Sequence, residues 1–344
     1  LSRNKINFKI CVTGQHREML NQVLEFFEIK ADYDLKLMQQ DQSLNALSAR
    51  ILTAVDEVLE KEEPDLVLVH GDTTTSSMTA LAAFHRGLRV AHIEAGLRTY
   101  KKDAPFPEEI NRQITARIAD LHFAPTKRAG ENLLKEGILK DQIHITGNTI
   151  VDALNWGLAK NKGYKDSTIK NFKKLLHPDK KLIVVTGHRR ENFGKGMQNL
   201  CEALVDISKV KKLEIVFPVH LNPVVQQAVY SRLEQQESIH LIDPVPYPAM
   251  LWLLKSCDLI ISDSGGIQEE AACIGKPVIV TRNFSERMEG LENGFSFIVG
   301  TSKRRITEET LKLLNNPPDL GKNVNPYGDG LAAGRIVSVI KGFI

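Results

Sequence analysis

No stretch of this sequence stays apolar for the roughly 18–20 residues that a bilayer span needs, and no signal-peptide pattern opens it. Neither sign of charge is in excess: 45 Lys and Arg stand against 42 Asp and Glu, a net charge of +3. That balance offers no footprint for nucleic acid or an anionic membrane, and leaves basic residues the local task of holding a small anion in a cleft. Cysteine is scarce. Cys11, Cys201, Cys257 and Cys273 show no C-x-x-C spacing and lie among apolar residues, as expected of buried, reduced thiols in a cytoplasmic protein. H-E-x-x-H and other compact ligand spacings are missing, so no metal is expected. Without G-x-x-x-x-G-K-[ST], and without G-x-G-x-x-G after any strand, neither P-loop nucleotide hydrolysis nor a dinucleotide cofactor has support.

What the sequence does contain is alternation. Its 344 residues exceed the size at which one core stops growing, so two domains are expected. Short runs rich in β-branched residues predict strands at Phe8–Val12, Leu66–His70, Val90–Glu94, His122–Ala124 and Ile143–Thr146. Further on they fall at Leu182–Thr186, Glu214–Val219, His240–Ile242, Leu259–Ser262, Val278–Thr281 and Phe297–Val299. Amphipathic stretches between them include Glu18–Phe27, Thr74–Phe84, Glu108–Ile118, Glu131–Glu136, Met197–Ser208, Val224–Leu233 and Gln268–Cys273. Continuous apolar strands alternating with helices imply parallel sheets covered on both faces, hence two doubly wound α/β domains facing a cleft. The Lys-rich segment Lys160–Lys181 marks the approach to a boundary. The expected division is 1–160, with a C-terminal helix at about 330–344 returning to it, and 161–329. Hinges are expected at Ile150–Leu158 and near Asn325–Gly330.

In open α/β sheets ligands bind beyond the carboxyl ends of strands, and each notable polar cluster falls there. "LVLVHGDTTTSS" carries Asp72, "RVAHIEAGLRT" carries His92, Glu94 and Arg98, and "PFPEEINRQ" opens a helix with Glu108 and Glu109. "IVVTGHRRENFG" ends a strand in His188, Arg189, Arg190 and Glu191; "IVFPVHLNP" ends another in His220. In "LIISDSGGIQEEAACIGKPVIV" a strand gives way through Asp263 to Ser264, Gly265 and Gly266 at a helix start. Every cluster has a plain structural reading: Ser264 as a helix cap, Glu108 and Glu109 complementing a helix dipole, His70 and His92 as strand histidines. Five at strand ends together favour chemistry. Carboxylates gather in the first half, where neighbouring carboxyls can divide acid and base roles. Arg, His and a bare helix N-terminus gather in the second, suited to a diphosphate.

These motifs, with "CVTGQHREMLNQVLEFF", "FAPT", "ITGNTIVDAL" and "NPYGDG", occur in the order found in non-hydrolysing UDP-N-acetylglucosamine 2-epimerases, which the chain resembles from about Ile10 to Ile340. The resemblance implies a GT-B-like pair of Rossmann-like domains and a homodimer. It implies interconversion of UDP-N-acetylglucosamine and UDP-N-acetylmannosamine, without cofactor or metal, serving cell-surface polysaccharide synthesis. By motif, Asp72, Glu94 and Glu108 match the catalytic carboxylates and His188 the functional histidine. Ser264, Gly265, Gly266 and Glu270 match the residues that hold UDP, with Glu270 on the ribose hydroxyls. Arg189 and His220 match cleft residues on the nucleotide sugar, and Gln15 matches the allosteric site.

Departures from the family pattern are the lack of its opening strand and "GTRPE" loop, Glu286-Arg287-Met288-Glu289 in place of "ERPE", and Met250 where an aromatic often meets uracil. The natural protein is accordingly expected to be roughly 20–25 residues longer, about one strand and most of a helix. Other activities open to such a chain are hydrolytic release of N-acetylmannosamine and UDP, GT-B glycosyl transfer, and nucleotide-sugar binding without catalysis.

Overall fold

A computed structural model describes residues 1–14, 17–39, 42–162, 166–187, 189 and 192–344. The chain divides into two compact units: Leu1–Asp152 together with Gly328–Ile344, and Ala153–Tyr327. The division falls between Asp152 and Ala153, inside the helix Thr149–Asn161.

Unit 1 holds strands β1 (Cys11–Val12), β2 (Tyr33–Asp34), β3 (Leu66–His70), β4 (Arg89–Ile93), β5 (Leu121–Ala124) and β6 (Ile143–Ile145). The last four form a parallel sheet in the order β3-β4-β5-β6, with His70 opposite Ile93 and Ala124 opposite Ile145. One face is covered by the long helix Leu44–Glu62, whose buried Leu47, Ile51, Val55 and Leu59 recur every fourth residue. On the other face Ile336 and Ile340 of the terminal helix Ala332–Phe343 pack with Ala91, Leu121 and Phe123. Among the described residues the strands β1 and β2 pair only with each other, and β3 is an edge of its sheet. A cavity of about 370 Å³, lined by Phe8, Cys11, Thr13 and Leu66–Leu68 among others, adjoins both β1 and β3. With one hydrogen-bonded neighbour, the strand expected over Phe8–Val12 is regular only at Cys11–Val12. Cys11, expected to be buried, is exposed there.

Unit 2 holds β7 (Lys181–Thr186), β8 (Leu213–Pro218), β9 (Ile239–Ile242), β10 (Leu259–Ser262), β11 (Val278–Val280) and β12 (Ser296–Ile298). Its parallel sheet runs β12-β11-β10-β7-β8-β9, sandwiched between two apolar clusters, one around Leu204, Phe217 and Ile306 and the other around Val184, Leu253 and Val280. From β7 the chain builds outward to β9, then returns to place β10 on the other flank of β7. That reversal is a topological switch point, where the first turns of two oppositely directed crossovers part and leave a crevice. Among the described residues no helix is long and apolar enough to cross a membrane.

Candidate active site

In unit 1 the strand ends present two carboxylates. Past His70 the chain turns through Gly71 into Asp72, and past Ile93 into Glu94, whose φ is +67°. A left-handed backbone at a residue with a Cβ costs about 1–2 kcal/mol, so the fold holds Glu94 in a conformation it would not choose alone. Its Oε1 accepts from Asn148 Nδ2 at 3.2 Å, and its Oε2 lies 3.6 Å from His70 Nε2. Asp72 accepts from Arg112 Nη2 at 2.5 Å. Arg112 is buried on the helix Glu108–Ile118, one turn after Glu108, so this helix ties a cation to the end of β3.

The two glutamates that open this helix separate in role. Glu109 is fully buried and accepts the backbone N–H groups of Thr99 at 3.0 Å and Tyr100 at 2.9 Å, which pins the loop after β4. Glu108 stays half-buried. The remaining members of the "AHIEAGLRT" cluster are structural. Burial pushes the His92 imidazole down to about 3, and its neutral Nε2–H donates to the Gly71 carbonyl at 2.8 Å. Arg98 makes a two-pronged pair with Glu136, both bonds 2.8 Å.

In unit 2 the switch point is where the Ser-Gly-Gly turn lies. Thr186 and Ser262, the last residues of β7 and β10, join hydroxyls at 2.7 Å, and Ser262 Oγ accepts from Ser264 N at 3.0 Å. Asp263 is buried and accepts from Arg189 N and Asn192 Nδ2, each at 3.0 Å, which ties the loop after β7 to the end of β10. The helix Gly265–Cys273 then begins with Ser264 in the cap position but without a side-chain cap bond. The reading of Ser264 as a conventional cap therefore fails, and its hydroxyl does not occupy the first-turn N–H groups. One of the two glycines has a packing reason: a Cβ at 265 would come within 2.7 Å of Arg287 Cζ.

Arg287 belongs to a buried charge cluster behind this helix. Its Nε donates to Glu269 at 2.8 Å, it pairs with Glu286, and Glu286 takes Arg282 Nη1 at 3.2 Å. Ser285 Oγ donates to Gln268 Oε1 at 3.0 Å and accepts from Arg287 N at 3.1 Å. The segment that carries Glu286-Arg287-Met288-Glu289 is thus the brace of the helix start, a role its sequence signalled only by placing charge after an apolar strand. On the same helix Glu270 is buried and hydrogen-bonded to Tyr247; burial raises its carboxyl from 4.5 to about 7. Arg189 is half-buried, and His220, beyond β8, is exposed, its Nδ1 accepting from Asn222 N at 3.1 Å. His188, Arg190, Glu191 and Gln15 lie outside the described residues.

Taken residue by residue, Asp72 and Glu94 stand at the ends of adjacent strands, and the Glu108 helix is bound to Asp72 through Arg112. Ser264–Gly266 and the Arg189 backbone meet at the switch point. Asn148, Arg112, Tyr247 and the Arg287 cluster are contributions that motif reading left without a role.

The sequence model for UDP-N-acetylglucosamine 2-epimerase matches residues 1–341. A UDP-N-acetylglucosamine 2-epimerase of Campylobacter jejuni is 48% identical over 348 residues, covering 98% of this chain and 91% of its own. That of Escherichia coli K12 is 46% identical, covering 97% and 90%. Among solved structures, the Neisseria meningitidis UDP-GlcNAc 2-epimerase bound to UDP-GlcNAc superposes with a TM-score of 0.94 at 43% identity, covering 98% of this chain and 93% of that one. The Methanocaldococcus jannaschii enzyme in complex with UDP-GlcNAc and UDP gives 0.89 at 32%, covering 99% and 94%. Two parallel-sheet units, carboxylates at the strand ends of one and an uncapped Ser-Gly-Gly helix start in the other, are in this light the marks of a GT-B-like fold, and the chain belongs to the UDP-N-acetylglucosamine 2-epimerase family.

Proposed function

We propose that the chain interconverts UDP-N-acetylglucosamine and UDP-N-acetylmannosamine at C2 without hydrolysis, and that it does so as a homodimer, which the family resemblance supports. The observation that carries the chemical reading is the pair of carboxylates, Asp72 and Glu94, at neighbouring strand ends, each gripped by a donor. C2–H of the sugar has no adjacent carbonyl to acidify it, so direct proton abstraction faces an excessive barrier. Breaking the C1–O bond first, or in concert, sends its electron pair to UDP and makes C2–H acidic. A carboxylate takes that proton and the C1–C2 double bond of 2-acetamidoglucal forms. A second acid returns a proton to the opposite face of C2 as a diphosphate oxygen of UDP re-adds at C1.

In this reading Asp72, Glu94 and Glu108 are the acid–base set, and the motif match adds His188 as a functional histidine. The N–H groups at Ser264–Gly266, with Arg189 and His220, hold the diphosphate and accept its developing charge. Glu270 takes the ribose hydroxyls.

The reaction is read by NMR in D₂O. UDP-N-acetylglucosamine alone should become an equilibrium mixture of the two UDP-sugars carrying deuterium at C2. Amide variants of Asp72, Glu94 and Glu108 should each lower kcat by roughly 10²-fold or more with little change in UDP affinity. Accumulation of free N-acetylmannosamine and UDP would instead make the enzyme hydrolytic. Near-normal turnover in all three variants would remove the acid–base assignment.

A further inference from the structure

The motif "ITGNTIVDAL" follows β6 and leads into the helix Thr149–Asn161, and the reaction as written above gives it no task. Its Asn148 is 3% exposed and uses both ends of its amide. Oδ1 accepts the backbone N–H of Ile150 at 3.0 Å, capping the first turn of that helix. An amide whose oxygen is committed in this way has its NH₂ group directed elsewhere, and here it donates to Glu94 Oε1 at 3.2 Å. The assignment of oxygen and nitrogen is therefore fixed by the backbone, since the reversed amide would set N–H against N–H at Ile150.

The platform beneath Asn148 is clamped on both sides. Asp152, one turn later, accepts from Ala332 N at 3.1 Å and Ala333 N at 2.9 Å at the start of the terminal helix. Arg335 Nη1 donates to the Thr146 carbonyl at 3.0 Å. Gly328, at φ +122°, passes so close that a Cβ on it would lie 3.1 Å from Gly147 Cα. Glu94, in contrast, sits on a short loop in a left-handed conformation. A rigid donor thus meets a carboxylate whose backbone alone does not choose its direction.

We propose that Asn148 is the positioning residue of Glu94: its amide donates to Oε1 and fixes the rotamer in which the carboxylate meets its proton. This rests on the reading of Glu94 as an acid–base group. A carboxylate displaced by about 1 Å from its proton is a poor catalyst, on the order of 10²-fold.

Two substitutions in the full chain separate positioning from capping. Asn148→Ser and Asn148→Asp both keep an oxygen for the Ile150 N–H; serine loses the reach to Glu94, and aspartate replaces the donor with an acceptor. Each is compared with wild type and with Glu94→Gln for kcat and KM on UDP-N-acetylglucosamine, UDP affinity by calorimetry, and thermal melting. Both should melt near wild type, bind UDP and substrate within about twofold, and lose about 10- to 100-fold in kcat, aspartate more than serine. The loss from Asn148→Ser should vanish when it is added to Glu94→Gln, because the group it positions is gone. Wild-type kcat in the Asn148 variants beside an inactive Glu94→Gln would overturn the inference and leave Glu94 its role. Normal turnover by Glu94→Gln would overturn both. If both Asn148 variants melt far below wild type, Asn148 is a structural cap and the inference falls.

Discussion

Glu270 is a carboxylate whose environment opposes its charge. Burial lifts its carboxyl from 4.5 to about 7, against a smaller opposing effect from the Tyr247 hydroxyl. The folded protein therefore holds this proton over a range in which the unfolded chain has released it. Its contribution to stability is fully present below about pH 4.5 and is lost as pH rises through 7. Glu270→Gln keeps an acceptor for Tyr247 and removes the buried charge. Denaturant unfolding at pH 8 should find the variant more stable than wild type, by at most about 3 kcal/mol at 1.36 kcal/mol per pH unit, with the difference gone near pH 4.5. A variant equally stable at both pH values would show that Glu270 is solvated in the folded state. At this scale, Asp72, Glu94 and Glu108 were legible because strand and helix ends can be located from apolar runs. Glu109 and Arg112 were not separable from Glu108, because spacing places three residues on one helix end without saying which of them turns inward. Asn148 and Arg287 act through partners 54 and 18 residues away, and nothing local announces such contacts.

The helix Gly265–Cys273 offers a test between two readings of one turn. A working N-cap contributes about 1 kcal/mol, and Thr126 supplies one to the helix Lys127–Lys135 by accepting from Ala129 N at 3.1 Å. Ser264 makes no such bond. Thr126→Ala should then lower stability by about 1 kcal/mol, whereas Ser264→Ala should leave the UDP-free protein nearly as stable as wild type and weaken UDP about tenfold or more, the worth of a hydrogen bond to a charged group. Equal destabilisation by the two variants, with UDP affinity untouched, would restore the cap. Gly265→Val is a poorer probe, since it strikes Arg287 whether or not a ligand is present. Elements with continuous apolar runs or a clear amphipathic period emerge from the sequence nearly residue for residue: Leu66–His70, Leu259–Ser262 and Glu108–Ile118 are as expected. Two of the additions show what a sequence pattern misses. Tyr33–Asp34 is too short to leave a pattern and exists by pairing with Cys11–Val12. Ser167–Leu175 lies in the Lys-rich stretch, where charge outweighs the two buried anchors Ile169 and Phe172.

For the molecule as a whole, the decisive feature is that unit 2 is one continuous segment while unit 1 is two. Unit 2 contains a complete six-stranded sheet with a core on each face, so a chain of residues 153–327 should unfold cooperatively on its own by calorimetry. Deleting residues 328–344 should leave that transition in place and abolish the one due to unit 1. Ile336 and Ile340 alone bury apolar side chains worth roughly 3–6 kcal/mol together, a large share of what such a unit has to spare. Two intact transitions after the deletion would refute this. The same division imposes an order on biosynthesis. Emerging from the ribosome, unit 2 has every residue it needs while unit 1, begun earlier, still waits for its final helix. Until residues 328–344 emerge, the β3–β5 face around Ala91, Leu121 and Phe123 is without its cover. A chain cut short after residue 327 would therefore hold a folded second unit and an exposed first one, and that fragment, rather than the whole chain, is where a chaperone would find its substrate.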